Sequence, residues 1–270
     1  MSPEFFVPKP KWGQNFLLDR NVLSDILDVA ELTSGCSVLE VGPGKGILTE
    51  AIAERCCRVF SIEIDRRLEP WLAPLEERYP GRVSLLWGDA RTWDYASLPS
   101  EGLTRIVANI PYSIMTPLLW TFISHCLKTV RRIVLLLEEE AMERLLAQPK
   151  TKGRGPLGIV LDALGGGRIV RRVDRRSFRP APHADSVLAM FNTTENLEIA
   201  TRDAFRTLLE DAFRHRRKTL LWNLRSAGYQ CDIVGEALTR SGLDPKQKVR
   251  AEEVSTENWL RIFSYLQART

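Results

Sequence analysis

Over its first 190 or so residues the chain alternates short, almost wholly apolar runs with amphipathic helical stretches, and few folds accept that alternation. SVLEV at Ser37–Val41 and RIVLLL at Arg132–Leu137 leave hardly any polar face. A strand built like that must be covered on both sides, as in a parallel sheet sandwiched between helices. Strands are expected at Ser37–Val41, Arg58–Ile64, Val83–Trp87, Arg105–Ala108, Arg132–Leu137 and Val187–Phe191. Helices are expected at Asn21–Leu32, Leu48–Arg55, Arg66–Tyr79, Pro117–Cys126, Glu139–Ala147 and Leu157–Leu164. Asn192-Thr193-Thr194-Glu195-Asn196 reads as a linker. Beyond it only helical patterns follow, at Arg202–Phe213, Lys218–Ala227, Ile233–Ser241 and Thr256–Gln267. The expected architecture is α/β: a doubly wound, Rossmann-like domain over residues 1–192, then a small all-helical C-terminal domain over 198–270.

Composition narrows the class of protein. No run of 18 apolar residues exists, which excludes a spanning helix. The opening MSPEFFVPKPKWGQ has no apolar stretch leading to a small-residue cleavage site, so no secretory signal is expected. Five cysteines without CxxC spacing argue against a disulfide framework or a zinc site, and a reducing, cytoplasmic compartment is expected. His125, His183 and His215 have no plausible ligand set around them, so no metal is expected. Trp120 and Trp222 lie in apolar helical patterns and are expected in the core. The net charge of +4 is a mild hint of an anionic partner.

Three strand-end features carry chemistry. Leu39-Glu40-Val41-Gly42-Pro43-Gly44-Lys45-Gly46 follows a strand and opens a helix, where Gly42 and Gly44 let backbone approach a ligand. A tight strand–helix turn would use the same glycines. Glu63, ending the next strand, can accept both hydroxyls of a ribose. Asp89, after the third strand, can accept from an adenine amino group. In that order they outline an adenosine pocket. A nicotinamide enzyme would show GxGxxG, with room for a pyrophosphate. This chain has GxGxG with Pro43 inside, a loop that resembles those of S-adenosylmethionine-dependent methyltransferases. Lys45 is not a P-loop lysine, because no Ser or Thr follows it in Walker spacing.

The fourth strand ends in Asn109-Ile110-Pro111-Tyr112, a tetrapeptide that resembles the signature of methyltransferases acting on exocyclic base amines. An adenine N6 lone pair is delocalised into the ring and is a poor nucleophile. The Asn109 carbonyl and a neighbouring backbone carbonyl could accept its two N–H bonds and draw the nitrogen towards sp³ geometry. Tyr112 offers a face for an extruded base, and Pro111 stiffens the turn.

With these residues in view, the chain resembles the ribosomal RNA adenine N6,N6-dimethyltransferases, most closely the branch acting on the bacterial small subunit. Lys11-Trp12-Gly13-Gln14-Asn15-Phe16-Leu17 is similar to the family's K-x-x-G-Q-N-F-L motif. The resemblance implies that Asn15 and Leu17 contact the methionine end of the cofactor, S-adenosyl-L-methionine, and that Gly42, Gly44, Glu63, Asp89 and Asn109 complete its site. Phe178-Arg179-Pro180-Ala181-Pro182-His183-Ala184-Asp185-Ser186 resembles F-x-P-x-P-x-V-D-S and implies that Phe178 clamps the target base against Tyr112. Ala212–Leu220 resembles A-F-x-x-R-R-K-T-L, and Arg250-Ala251-Glu252-Glu253 resembles R-A-E-x. These last two favour the small-subunit branch over relatives that methylate large-subunit RNA. The implied activity is dimethylation of two adjacent adenosines in the 3′-terminal hairpin of 16S ribosomal RNA. The implied partner is an assembling small subunit, with no membrane, and the enzyme is expected to be monomeric. Departures are Glu138-Glu139-Glu140 for Gln-Lys-Glu, Arg154-Gly155 for Tyr-Gly, and Ala184 for Val.

Two basic concentrations could meet RNA phosphates: Arg168, Arg171, Arg172, Arg175, Arg176 and Arg179, and the cluster Arg214, Arg216, Arg217 and Lys218. Solvated strand and helix faces would look the same. Trp12 either touches substrate or packs the N-terminal arm.

Overall fold

The computed structural model describes residues 6–9, 12–98 and 103–269, with Tyr112 described in its backbone only. Lys11 of the N-terminal motif lies outside the described residues. The strands are β1 (Phe16–Leu17), β2 (Ser37–Val41), β3 (Arg58–Glu63), β4 (Val83–Trp87), β5 (Leu103–Asn109), β6 (Arg132–Glu138), β7 (Gly167–Val173), β8 (Phe178–Arg179) and β9 (Ser186–Asn192). The helices are α1 (Arg20–Val29), α2 (Ile47–Ala53), α3 (Glu69–Arg78), α4 (Tyr112–His125), α5 (Glu139–Leu145) and α6 (Pro156–Ala163). After the last strand come α7 (Leu197–Ala200), α8 (Asp203–Phe213), α9 (Leu220–Ser226), α10 (Cys231–Arg240) and α11 (Thr256–Gln267).

Seven strands form one sheet in the order β4-β3-β2-β5-β6-β9-β7. β4, β3, β2, β5 and β6 run parallel, and β9 pairs antiparallel with β6. All five residues of β2 are buried, and so are the five central residues of β6, as strands covered on both faces require. The chain winds outward from β2 to β4 and then returns to place β5 on the other side of β2. Strand order therefore reverses between β2 and β5, and their C-terminal ends leave a crevice there.

β7 was not foreseen, because Gly167–Val173 carries three arginines. It is an edge strand, with only Val173 fully buried, and charge is how edges avoid pairing with other chains. β1 and β8 are a two-residue antiparallel pair, Phe16 opposite Arg179 and Leu17 opposite Phe178. Pairs that short leave no period to read.

The chain divides into two compact units, residues 1–142 with 168–193, and residues 143–167 with 194–270. This differs from the division into 1–192 and 198–270. The segment carrying α6 belongs to the second unit because α6 is apolar except for its exposed Asp162. Leu157, Ile159, Val160, Leu161 and Ala163 are all buried, and such a helix is stable only inside other helices. The Lys150 amide donates to the Glu252 carbonyl at 2.8 Å, and Asn196 Nδ2 to the Ala163 carbonyl at 2.8 Å. Phe205 and Phe263 meet edge to face at 5.1 Å in the same unit.

Arg154 fastens this unit. Only 3% exposed, it donates to the Ala147 carbonyl at 2.8 Å and to Thr256 Oγ1, at the start of α11, at 2.7 Å. Arg154→Ala would remove both part-buried bonds together with the packing of a nearly inaccessible side chain. It is expected to lower stability by about 2–4 kcal/mol, measured as a shift in the urea unfolding of the helical signal.

Candidate active site

The crevice at the strand reversal is a cavity of about 670 Å³, within the range of small-molecule sites. Asn15, Leu17, Gly42, Gly44, Glu63, Asp89 and Asn109 all line it, together with Pro111. Its floor is the loop from β2 to α2, closed by a Gly46 amide bond to the Pro43 carbonyl at 2.9 Å. Gly44 holds φ at +59°, and a Cβ there would lie 2.8 Å from the Phe16 ring. Both facts restrict the position to glycine.

The acidic groups face the cavity in different states. Glu63 is 6% exposed. Its carboxylate accepts from the Asp65 amide at 2.8 Å and the Gly44 amide at 3.3 Å. Burial raises its pKa against those bonds. Asp89 is gripped by Arg91, whose Nε and Nη2 donate to its oxygens, the shortest contact being 2.6 Å. The guanidinium holds the Asp89 carboxyl below the usual carboxylate range. Any further donor reaching Asp89 must share it with Arg91.

Glu40 belongs with these residues and was missed in the sequence because its place inside β2 marks it as core. It lines the cavity at 1% exposure. Thr49 and Ser61 hydroxyls both donate to its Oε2 at 2.6 Å, while Oε1 has no hydrogen-bond partner. Burial pushes its carboxyl up to about 7. A buried acceptor left open at a cavity wall is a place for a donor or cation from a ligand.

Asn109 ends β5 with its side-chain Nδ2 donating to the Asn15 carbonyl at 2.9 Å. That partner can only accept, so the amide is oriented and Oδ1 remains as the acceptor. The N-terminal arm is held against the same turn. A Cβ on Gly13 would meet Pro111 Cβ at 2.8 Å. Gln14 donates to Asp65 at 2.9 Å, and Asp65 also holds Arg67 in a forked pair. Burial pushes the Asp65 carboxyl up, but the Arg67 and Gln14 bonds outweigh it and hold it low. Trp12 lines the cavity.

Tyr112 opens α4 directly after Pro111, and its side chain lies outside the described residues. Phe178 is not brought to the cavity. It is 4% exposed and packs in the core with Leu17 and Val173, because pairing of β8 with β1 turns it inward. The expectation that it clamps the target base against Tyr112 finds no open Phe178 face at the cavity.

The basic residues separate into paired and open. In the first cluster Arg171 pairs with Asp25, Arg172 with Glu139 and Arg176 with Asp174. Glu139 is thus matched by an arginine. Arg168, Arg175 and Arg179 form no ion pair among the described residues. In the second cluster Arg214 pairs with Asp211 at 2.6 Å, Arg216 donates to the Lys152 carbonyl, and Arg217 and Lys218 form no ion pair among the described residues. Trp120 is buried as expected, but Trp222 is 42% exposed. Among the described residues no group of three or more His, Cys, Asp or Glu could hold a metal, and no helix is long and apolar enough to cross a membrane.

Comparison with known proteins finds relatives over nearly the whole chain. The model of the family "Ribosomal RNA adenine dimethylase" matches residues 6–268. A ribosomal RNA small subunit methyltransferase A of Deinococcus radiodurans is 39% identical over 248 residues, covering 92% of this chain and 82% of the relative. One of Moorella thermoacetica is 36% identical, covering 97% and 93%. A dimethyladenosine transferase from Plasmodium falciparum superposes with a TM-score of 0.79 at 25% identity, over 94% of this chain and 98% of that one. The 23S rRNA methyltransferase ErmE does so with 0.68 at 27% identity, over 94% and 100%.

Glu40 generates a pH prediction. Its carboxyl moves from an ordinary value of 4.5 to about 7 on folding. The folded state therefore holds the proton more tightly, and the stability it contributes below 4.5 is lost as pH rises through 7. Relative to Glu40→Gln, the native chain is expected to lose about 1–3 kcal/mol across that window, read as diverging urea midpoints between acidic and neutral buffer.

Proposed function

Because the chain belongs to the ribosomal RNA adenine dimethylase family, we propose that it dimethylates N6 of two adjacent adenosines in the 3′-terminal hairpin of small-subunit (16S) ribosomal RNA. The methyl donor in this reading is S-adenosyl-L-methionine, whose sulfonium supplies a methyl group already activated for transfer. The cavity's donor set suits that molecule. Glu63 takes the ribose hydroxyls and Asp89 the adenine amine. The open Oε1 of Glu40 suits a cationic or N–H donor. Asn15 and Leu17 hold the methionine end, and Gly44 keeps the floor clear of side chains.

The observation that carries the reading is the orientation of Asn109. With Nδ2 committed to the Asn15 carbonyl, Oδ1 is the atom left to accept an N–H from adenine N6. A neighbouring backbone carbonyl takes the other. Pro111 fixes the turn, and Tyr112 supplies the stacking face. No strong general base is needed; the residues work by positioning the nitrogen for in-line approach. Phe178 supports Leu17 from behind. The protein acts on small subunits during their assembly, as a soluble, cytoplasmic monomer. Relatives at 36–39% identity carry the small-subunit name, which favours this branch over the large-subunit one.

The test is transfer from labelled S-adenosylmethionine to isolated unmethylated small subunits, with large subunits in parallel. Dimethyladenosine in small-subunit RNA alone is expected; label in large-subunit RNA alone, or in neither, overturns the reading. Asn109→Ala is expected to slow transfer on the order of 10²–10³-fold while subunit affinity stays unchanged.

A further inference from the structure

Trp222 departs from what its sequence context requires. α9 buries Leu220, Asn223 and Leu224 on one face, and Trp222 falls off that face at 42% exposure. Among the described residues it is the one large hydrophobic side chain of the second unit left exposed. A hydrophobic side chain exposed singly is ordinary and carries no reason of its own.

Its surroundings supply one. Lys218 Nζ sits 5.1 Å from the indole centroid, and His215 meets it edge-on at 5.3 Å. Arg216 donates only to a neutral carbonyl, so its charge is not cancelled. Arg217 and Lys218 form no ion pair among the described residues. The turn bearing these cations is clamped by a side chain that is itself 1% exposed. Asn223 Oδ1 accepts from the His215 amide at 3.1 Å, and its Nδ2 donates to the His215 carbonyl at 3.2 Å. Thr219 caps α9 through the Trp222 amide at 3.2 Å. The indole and its cationic rim are thus held by fixed backbone.

We infer that Trp222 is a stacking platform for one unpaired RNA base, with Arg216, Arg217 and Lys218 binding the phosphates on either side. An aromatic face set among cations is the combination that binds single-stranded nucleic acid without reading its sequence. The ammonium over the ring is a weaker occupant than a base, and Lys218 is long enough to leave the face and meet a phosphate. A duplex offers no free base face, so the platform selects for an unpaired nucleotide. The inference rests on the reading of the chain as an enzyme acting on RNA, and it adds a contact remote in sequence from the methyl-transfer residues.

The test measures binding of the full chain to a single-stranded oligoadenylate RNA and to an RNA duplex of equal length over a salt series. It requires no turnover, so its failure is separable from failure of the methyl-transfer assay. Trp222→Ala is expected to weaken single-strand binding roughly 5- to 150-fold at every salt concentration, with the salt slope unchanged and duplex binding unaffected. Trp222→Phe should retain most of the affinity. Arg217→Ala should reduce the salt slope on the single strand by about 0.7. Equal binding by Trp222→Ala and the native chain overturns the platform. So does an equal loss on duplex, or a loss accompanied by a changed slope, since either would mean that the indole merely holds the basic turn. A circular dichroism melt of each variant identifies any loss that comes from unfolding.

Discussion

The structure depends on burying a parallel sheet on both faces while strand order reverses between β2 and β5. Helices cover the faces, and strand pairing satisfies the backbone within the sheet. What remains open is the row of C-terminal strand ends at the reversal. There the connections from β2 and β5 turn away from each other and cannot fill the space between them. Gly42 and Asn109 stand on the two sides of that gap. The cavity is a consequence of the winding, and the side chains decide what it accepts.

Those side chains include carboxylates that a core would ordinarily exclude. Glu40 and Glu63 are both nearly inaccessible, and burial raises both pKa values. Glu63 is compensated by two backbone amides, whereas Glu40 has one oxygen doubly bonded and the other open. An open buried acceptor destabilises the chain alone, and it is tolerable where a ligand completes it. The N-terminal arm is drawn into the same arrangement. Asp65 receives Gln14 and Arg67, and Asn15 receives Asn109. The residues that roof the cavity are thereby tied to the residue that would orient the reacting nitrogen.

The helical unit solves a different problem. It must hold cations outward without letting like charges loosen the chain that carries them. Part of the charge is cancelled locally, as Arg214 is by Asp211. The turn itself is pinned by the buried Asn223 amide, which bonds both backbone groups of His215. Arg154 does similar work from inside, spanning the approach to α6 and the start of α11 with its guanidinium.

Much of this was legible in the sequence. The apolar runs marked β2, β3, β4, β5, β6 and β9 to within a few residues. The glycine loop, Glu63, Asp89 and Asn109 could be placed at strand ends in the right order, because each follows a run whose length and apolarity identify it. Other features could not be read that way. β7 looked like a solvated arginine stretch, and α6 looked like another sheet-covering helix. Phe178 looked like a clamp for the base, Trp222 like core, and Glu40 like a strand residue without a task. Each of those outcomes turns on which surface a residue meets: an edge position, a neighbouring helix, a two-residue strand pair, a helix face or a cavity wall. Sequence alone determined the order of elements and the chemistry available at their ends, since period and residue type are local properties. Burial, pairing and the state of each carboxylate were decided by the tertiary structure, because they arise from contacts between segments that are far apart in the chain.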